Sequence, residues 1–127
     1  MEYIILFLSA LVIAQIIKFL FRLFSNTQDS KNFFWVFVYS TGAPSAHTAV
    51  LTSSLVLLNK DIGFSPIFYF ACIVSVIFMY NLVADRKREI IRDSNQKVLD
   101  ISGHSVFDIF TGFGLGIIIG LIFVFYF

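Results

Sequence analysis

The chain has 127 residues, 58% of them hydrophobic and only 13% charged, with seventeen phenylalanines. Soluble domains run near a quarter charged, so a chain this short with a mean hydropathy of +0.88 has too little polar surface to cover a water-soluble core. That excludes a soluble globular domain and points to one membrane-embedded domain over residues 1–127. The net charge of +1 gives no reason to expect a nucleic acid or another polyanion as partner, and the single Cys72 excludes an internal disulfide.

Tyr3 to Phe24 is the first predicted span, interrupted in its second half by Gln15, Lys18 and Arg22. It follows no basic stretch and precedes no small-residue cleavage site, so it reads as a retained helix and not a signal peptide. Ser25 to Gly42 begins polar and then carries Phe33, Phe34, Trp35 and Phe37, a composition that suits an interfacial or re-entrant piece. Pro44 to Leu58 is a shorter second helix that starts with small and polar residues, and Pro44 is expected at its first helical position. Asn59 to Gly63 reads as a tight turn, and Phe64 to Val83 as a clean third span of about 20 residues. Ala84 to Gly103 is strongly charged, yet its Ile90, Ile91, Val98, Leu99 and Ile101 suggest a helix lying along the membrane surface. Ser105 to Phe127 is the last span, glycine-rich at its start and aromatic at its end. The expected fold is an all-α integral membrane bundle of about four transmembrane helices plus a short interfacial helix.

If the four helices alternate in direction, Lys18, Arg22, Lys31, Arg86, Lys87, Arg88, Arg92 and Lys97 all fall toward one side, and only Lys60 falls on the other. The positive-inside rule makes the crowded side cytoplasmic. The same alternation gathers Lys18, Arg22, His47, Arg86, Lys87, His104 and Asp108 at that face, together with two helix N-termini that add partial positive charge. Ionisable residues within spans are costly and usually mark function. A cationic pocket with two imidazoles and a carboxylate suits an anion that carries a lipid tail.

Phosphoryl transfer is the chemistry such a pocket serves most directly, because lysine and arginine neutralise phosphate oxygens in the transition state. His104 and Asp108 are four residues apart, on one helical face, so the carboxylate can hold the ring while its other nitrogen attacks phosphorus. His47, on a different helix, is the natural acid for the departing alkoxide. The reading requires the two rings to lie within roughly 8–10 Å, the span one phosphate bridges by hydrogen bonds on both sides.

Plainer readings exist for each residue. A histidine near a helix end commonly serves as an interfacial hydrogen-bonding group, Lys18 and Arg22 can snorkel to the interface, and the basic run Arg86–Arg92 can grip anionic headgroups. His104, Asp108 and His47 could also ligate a metal, although no cysteine or second carboxylate stands near. Gly112, Gly114, Gly116 and Gly120 lie in an apolar span with no following Lys-Ser/Thr, so close helix packing fits them better than a nucleotide loop. The same small-residue face, Gly112/Gly116/Gly120, could support a homodimer.

Thr41-Gly42-Ala43-Pro44-Ser45-Ala46-His47-Thr48-Ala49 resembles the Pro-Ser-x-His signature of the type 2 phosphatidic acid phosphatase superfamily, and Gly103-His104-Ser105-Val106-Phe107-Asp108 resembles its His-x-x-x-Asp element. Ala14-Gln15-x-x-Lys18, Met79-Tyr80-Asn81 and Arg86-Lys87 are similar to its divergent membrane branch, related to acid phosphatases and vanadium-dependent haloperoxidases. The resemblance runs from about Ala14 to Gly120. It implies His104 as phosphate-accepting nucleophile, Asp108 as its orienting partner and His47 as general acid. Lys18, Arg86, Lys87 and Ser45 would bind phosphate, with no metal and no cofactor. The chain departs from the superfamily pattern in four places: Ala46 stands where glycine is usual, Ser25-Asn26 where Arg-Pro follows the lysine, Val98 where a Ser-Arg element precedes the nucleophile, and Asn81 where the branch usually has an acidic residue.

The expected protein is therefore a metal-independent lipid phosphate phosphatase. Its substrate would be a phosphomonoester or diphosphate of a phosphatidate, glycerophosphate or prenyl lipid, and its setting a bacterial inner membrane with the basic active-site face cytoplasmic. The alternative is a non-catalytic protein that binds or transports anionic lipids.

Overall fold

The structure, a computed structural model, describes residues 1–24, 42–92 and 104–127, the side chains of residue 22 and residues 86–92 excepted. Among the described residues there are four helices: α1 (Glu2–Phe24), α2 (Ala46–Ile62), α3 (Pro66–Arg92) and α4 (Val106–Tyr126). The aromatic cluster from Phe33 to Phe37 and residues 93–103 lie outside the described residues.

Serine side chains start three of the four helices. Ser45 caps α2 by accepting the Thr48 N–H, Ser65 accepts the Phe68 N–H at the start of α3, and Ser105 caps α4. Each thereby satisfies one of the backbone donors a helix leaves open at its N-terminus. Pro44 is outside α2, in a cis peptide with Ala43, and not at its first helical position as the sequence suggested. The hydroxyl cap one residue later sets the boundary. Pro66 is the proline that opens a helix, where its missing N–H costs nothing. Asn59–Gly63 is not a separate turn either. The helix continues to Ile62 and stops at Gly63, whose φ of 60° suits glycine and whose N–H bonds the Asn59 carbonyl.

The segment expected to begin a surface helix at Ala84 continues α3 without a break to Arg92. No glycine or proline interrupts Ala84–Arg92, and Arg, Lys and Glu are good helix formers, so nothing stops the helix at the apolar boundary.

α1, α3 and α4 are each long and apolar enough to cross a membrane. α2 is shorter and more polar because it is the central helix. It packs along α4 most extensively, then along α1, and more lightly along α3. Its Thr48, Thr52, Ser53, Ala49 and Leu57 are buried, and the Ser53 hydroxyl donates to the Val50 carbonyl of its own helix. A polar helix can sit at membrane depth when neighbouring helices screen it from lipid. The apolar side chains of the outer helices face outward instead, with Ile67, Phe70, Ile73, Val76 and Tyr80 of α3 all exposed. On a chain of this composition such a surface is the lipid contact of an integral membrane protein.

α1 and α4 meet the core through i, i+4 stripes. Leu6, Ala10, Ala14 and Lys18 are the buried residues of α1, and Asp108, Gly112, Gly116 and Gly120 repeat the pattern on α4. Large residues fill one half of the bundle, where Leu6, Val50, Leu57, Ile119 and Phe123 form one cluster. The other half is packed with Ala14, Ala46 and Ala49. Short side chains there let α1 and α2 approach closely at the end that carries Lys18 and His47.

Candidate functional site

Backbone hydrogen bonds tie the starts of α2 and α4 to each other and the approach to α4 to the body of α3. The Ser45 N–H donates to the Asp108 carbonyl at 2.9 Å, which sets the first turn of α2 against the first turn of α4. The His104 N–H donates to the Leu82 carbonyl at 3.2 Å, which fastens the approach to α4 onto the end of the α3 span. At the opposite end of the bundle the Tyr3 hydroxyl donates to Asp61 at 2.7 Å, pairing the start of α1 with the end of α2. The four helices therefore alternate in direction as expected, which brings Lys18, His47, His104 and Asp108 to one end.

The two imidazoles meet there. Their ring centroids are 5.9 Å apart in an edge-on arrangement, within the distance one phosphate can bridge. His104 is buried and His47 is exposed, with Phe78 of α3 packed 6.4 Å from the His47 ring. Nδ1 of His104 lies 3.9 Å from Oδ2 of Asp108, an ion-pair separation for that pair of atoms. Lys18 is only 3% exposed.

Asp108 also has a structural duty. Its Oδ2 accepts the Ser105 N–H at 2.8 Å while the Ser105 hydroxyl accepts the Asp108 N–H at 3.1 Å, a reciprocal capping box. The carboxylate is thus pinned to the first turn of α4 before it meets the imidazole. The Ser105-x-x-Asp108 spacing carries this signal in the sequence and makes Ser105 a site residue beyond those the motifs mark. Phe78 is another, since nothing local to α3 announces a ring against His47.

Ser45 is fully buried, and its hydroxyl accepts both the Thr48 N–H at 3.4 Å and the Thr48 hydroxyl at 3.1 Å. It holds the turn that presents His47. Arg86 and Lys87 belong to the part of α3 that extends past the apolar span, and their side chains lie outside the described ones. Among the described residues no three His, Cys, Asp or Glu side chains converge as metal ligands would.

The glycine stripe of α4 is occupied within the chain. A Cβ on Gly112 would stand 2.5 Å from the Ser45 carbonyl oxygen, one on Gly116 would stand 2.5 Å from that of Ala49, and one on Gly120 would meet Val56. Only hydrogen fits at these three positions, which is how α4 brings His104 and Asp108 up against the start of α2. The Gly112/Gly116/Gly120 face is therefore closed by α2 and is not the open surface that a homodimer through it requires.

No curated protein and no solved structure matches the chain. The family model described as the Divergent PAP2 family matches residues 1–119, which take in all of the site just described, and the chain belongs to that family.

Proposed function

We propose that the protein is a membrane lipid phosphate phosphatase that works through a phosphohistidine at His104. The observation that carries this reading is the pairing of a buried His104, backed by Asp108, with an exposed His47 across 5.9 Å at the end where Lys18 is buried. With Nδ1 turned to the carboxylate, Nε2 of His104 is the attacking nitrogen. It forms the N–P bond while the P–O bond to the lipid breaks, and protonated His47 gives its proton to the departing oxygen. Neutral His47 then takes a proton from water as that water attacks phosphorus, the N–P bond breaks, and inorganic phosphate leaves with His104 restored.

Lys18 neutralises the phosphate oxygens, with Arg86 and Lys87 as further cations of the same end. Ser45 serves the phosphate through the α2 turn it holds, because helix N-termini present N–H groups and partial positive charge to anions. The substrate is a phosphomonoester or diphosphate of a phosphatidate, glycerophosphate or prenyl lipid, and no metal or cofactor is assigned. The crowding of Lys and Arg at this end supports a cytoplasmic site, in a bacterial inner membrane.

Phosphate release from a panel of lipid phosphates by purified protein tests the proposal. Release should fall at least about a hundredfold in His104→Ala and in His47→Ala. Equal release by all three proteins would overturn it. A second reading, a non-catalytic protein that binds or moves anionic lipids, is favoured by Ala46 and by the absence of the superfamily's further arginines. It predicts no release but binding of the same lipids that weakens in Lys18→Ala.

A further inference from the structure

Beside the polar end, the bundle carries a half-open apolar cavity of about 330 Å³ between α2 and α3, bordered by Tyr3 of α1. α3 packs along α2 and makes no comparable contact with α1 or α4, so this space opens sideways toward lipid. Leu51, Leu55 and Leu58 line it from α2. Those positions follow His47 at i+4, i+8 and i+11, and so lie on the helical face that begins with the imidazole. Val74 and Phe70 line it from α3, at i−4 and i−8 from Phe78, the residue whose ring packs on His47. Ser54 and Ser75 border the cavity as well, and the Ser75 hydroxyl donates to the Ala71 carbonyl of its own helix, so most of the wall is hydrocarbon.

Both walls are thus continuous with the site. From His47 to Leu58 is eleven residues, about 16 Å along the helix, which equals roughly half of a 30 Å hydrocarbon core. That is the depth one leaflet's chains occupy. The Tyr3–Asp61 hydrogen bond lies at the far end, where α1 and α2 meet.

We propose that the α2–α3 groove takes one hydrocarbon tail of the lipid phosphate, running from His47 and Phe78 toward Tyr3, and that it selects long-chain substrates. The proposal rests on the phosphatase reading for the headgroup, while the groove itself stands on its own geometry. Ala71→Trp fills the groove from α3, and Ile73→Trp adds the same bulk to an outward position of that helix that is 60% exposed. Two measurements go together in detergent-reconstituted full-length protein. One is hydrolysis of a long-chain and a short-chain phosphatidate. The other is crosslinking by a phosphatidate with a photoreactive group at mid-tail, mapped by mass spectrometry.

Ala71→Trp should raise KM for the long-chain lipid at least tenfold and leave the short-chain lipid within twofold, while Ile73→Trp changes neither. Crosslinks should fall on Leu51, Leu55 or Val74 and vanish in Ala71→Trp. If neither lipid is hydrolysed by the unmodified protein, the phosphatase reading fails, and the crosslinks alone decide the groove. Crosslinks confined to outward residues such as Ile73 and Ile77, or a long-chain KM unmoved by Ala71→Trp, would overturn the groove proposal even with catalysis intact.

Discussion

Asp108 serves two partners at once, the Ser105 cap and the His104 ring, and the two can be separated by substitution. Asp108→Asn keeps a side-chain oxygen for the Ser105 N–H but removes the charge that favours a proton on the near nitrogen of His104. Phosphate release should then fall by roughly two orders of magnitude or more, with little change in the thermal midpoint. Asp108→Ala removes the cap as well and should lose about 1 kcal/mol of stability in addition. Wild-type release by the asparagine variant, measured beside its thermal unfolding, would reduce Asp108 to a helix cap. At this scale much was legible in advance. His47, His104, Asp108 and Lys18 were found from cost and spacing, because an ionisable group inside a span needs a reason to be there. The second duties of Ser45 and Asp108 were not. Capping is decided by which residue first turns its backbone, and Pro44 suggests a helix start two residues before the observed one at Ala46.

The α2–α4 pair sets the site's geometry. Three glycines on one stripe let two helix backbones touch, and the same closeness delivers the Ser45 N–H to the Asp108 carbonyl. Gly116→Ala should therefore destabilise the protein by about 1–3 kcal/mol, since its Cβ would press on the Ala49 carbonyl, a backbone atom with no rotamer to change. Gly114→Ala, whose Cβ would meet nothing within 4 Å, should be neutral or slightly stabilising in the same thermal assay. Equal melting of the two variants would mean that the stripe does not carry the packing. Hydropathy found α1, α3 and α4 readily because their outward faces must satisfy lipid. α2 was placed by its motif and its length more than by its apolarity, for a helix surrounded by other helices is released from that demand. Small-residue periodicity showed that α4 packs closely, but not against what. That choice between α2 and a second copy depends on tertiary contacts that no local pattern encodes.

For the molecule as a whole, alternating helices turn residues far apart in the chain into neighbours, with the two imidazoles at one end and the Tyr3–Asp61 hydrogen bond at the other. Under the proposed function, a headgroup site at the end of a lipid-exposed bundle would let a substrate keep its tail in the hydrocarbon while its phosphate meets the cations. The alternation was readable from span counting and from the crowding of basic residues, whereas the continuation of α3 to Arg92 was not, because a charged helix and a surface helix share one composition. The central claim is that this convergence makes His104 a phosphate acceptor. Quenching the protein in alkaline detergent within milliseconds of mixing with a lipid phosphate labelled in its phosphoryl group, then locating the label by peptide mass spectrometry without an acid step, tests it most directly. The label should be alkali-stable and acid-labile, sit on His104, and disappear in His104→Ala. Continued phosphate release without any label on His104 would contradict the account.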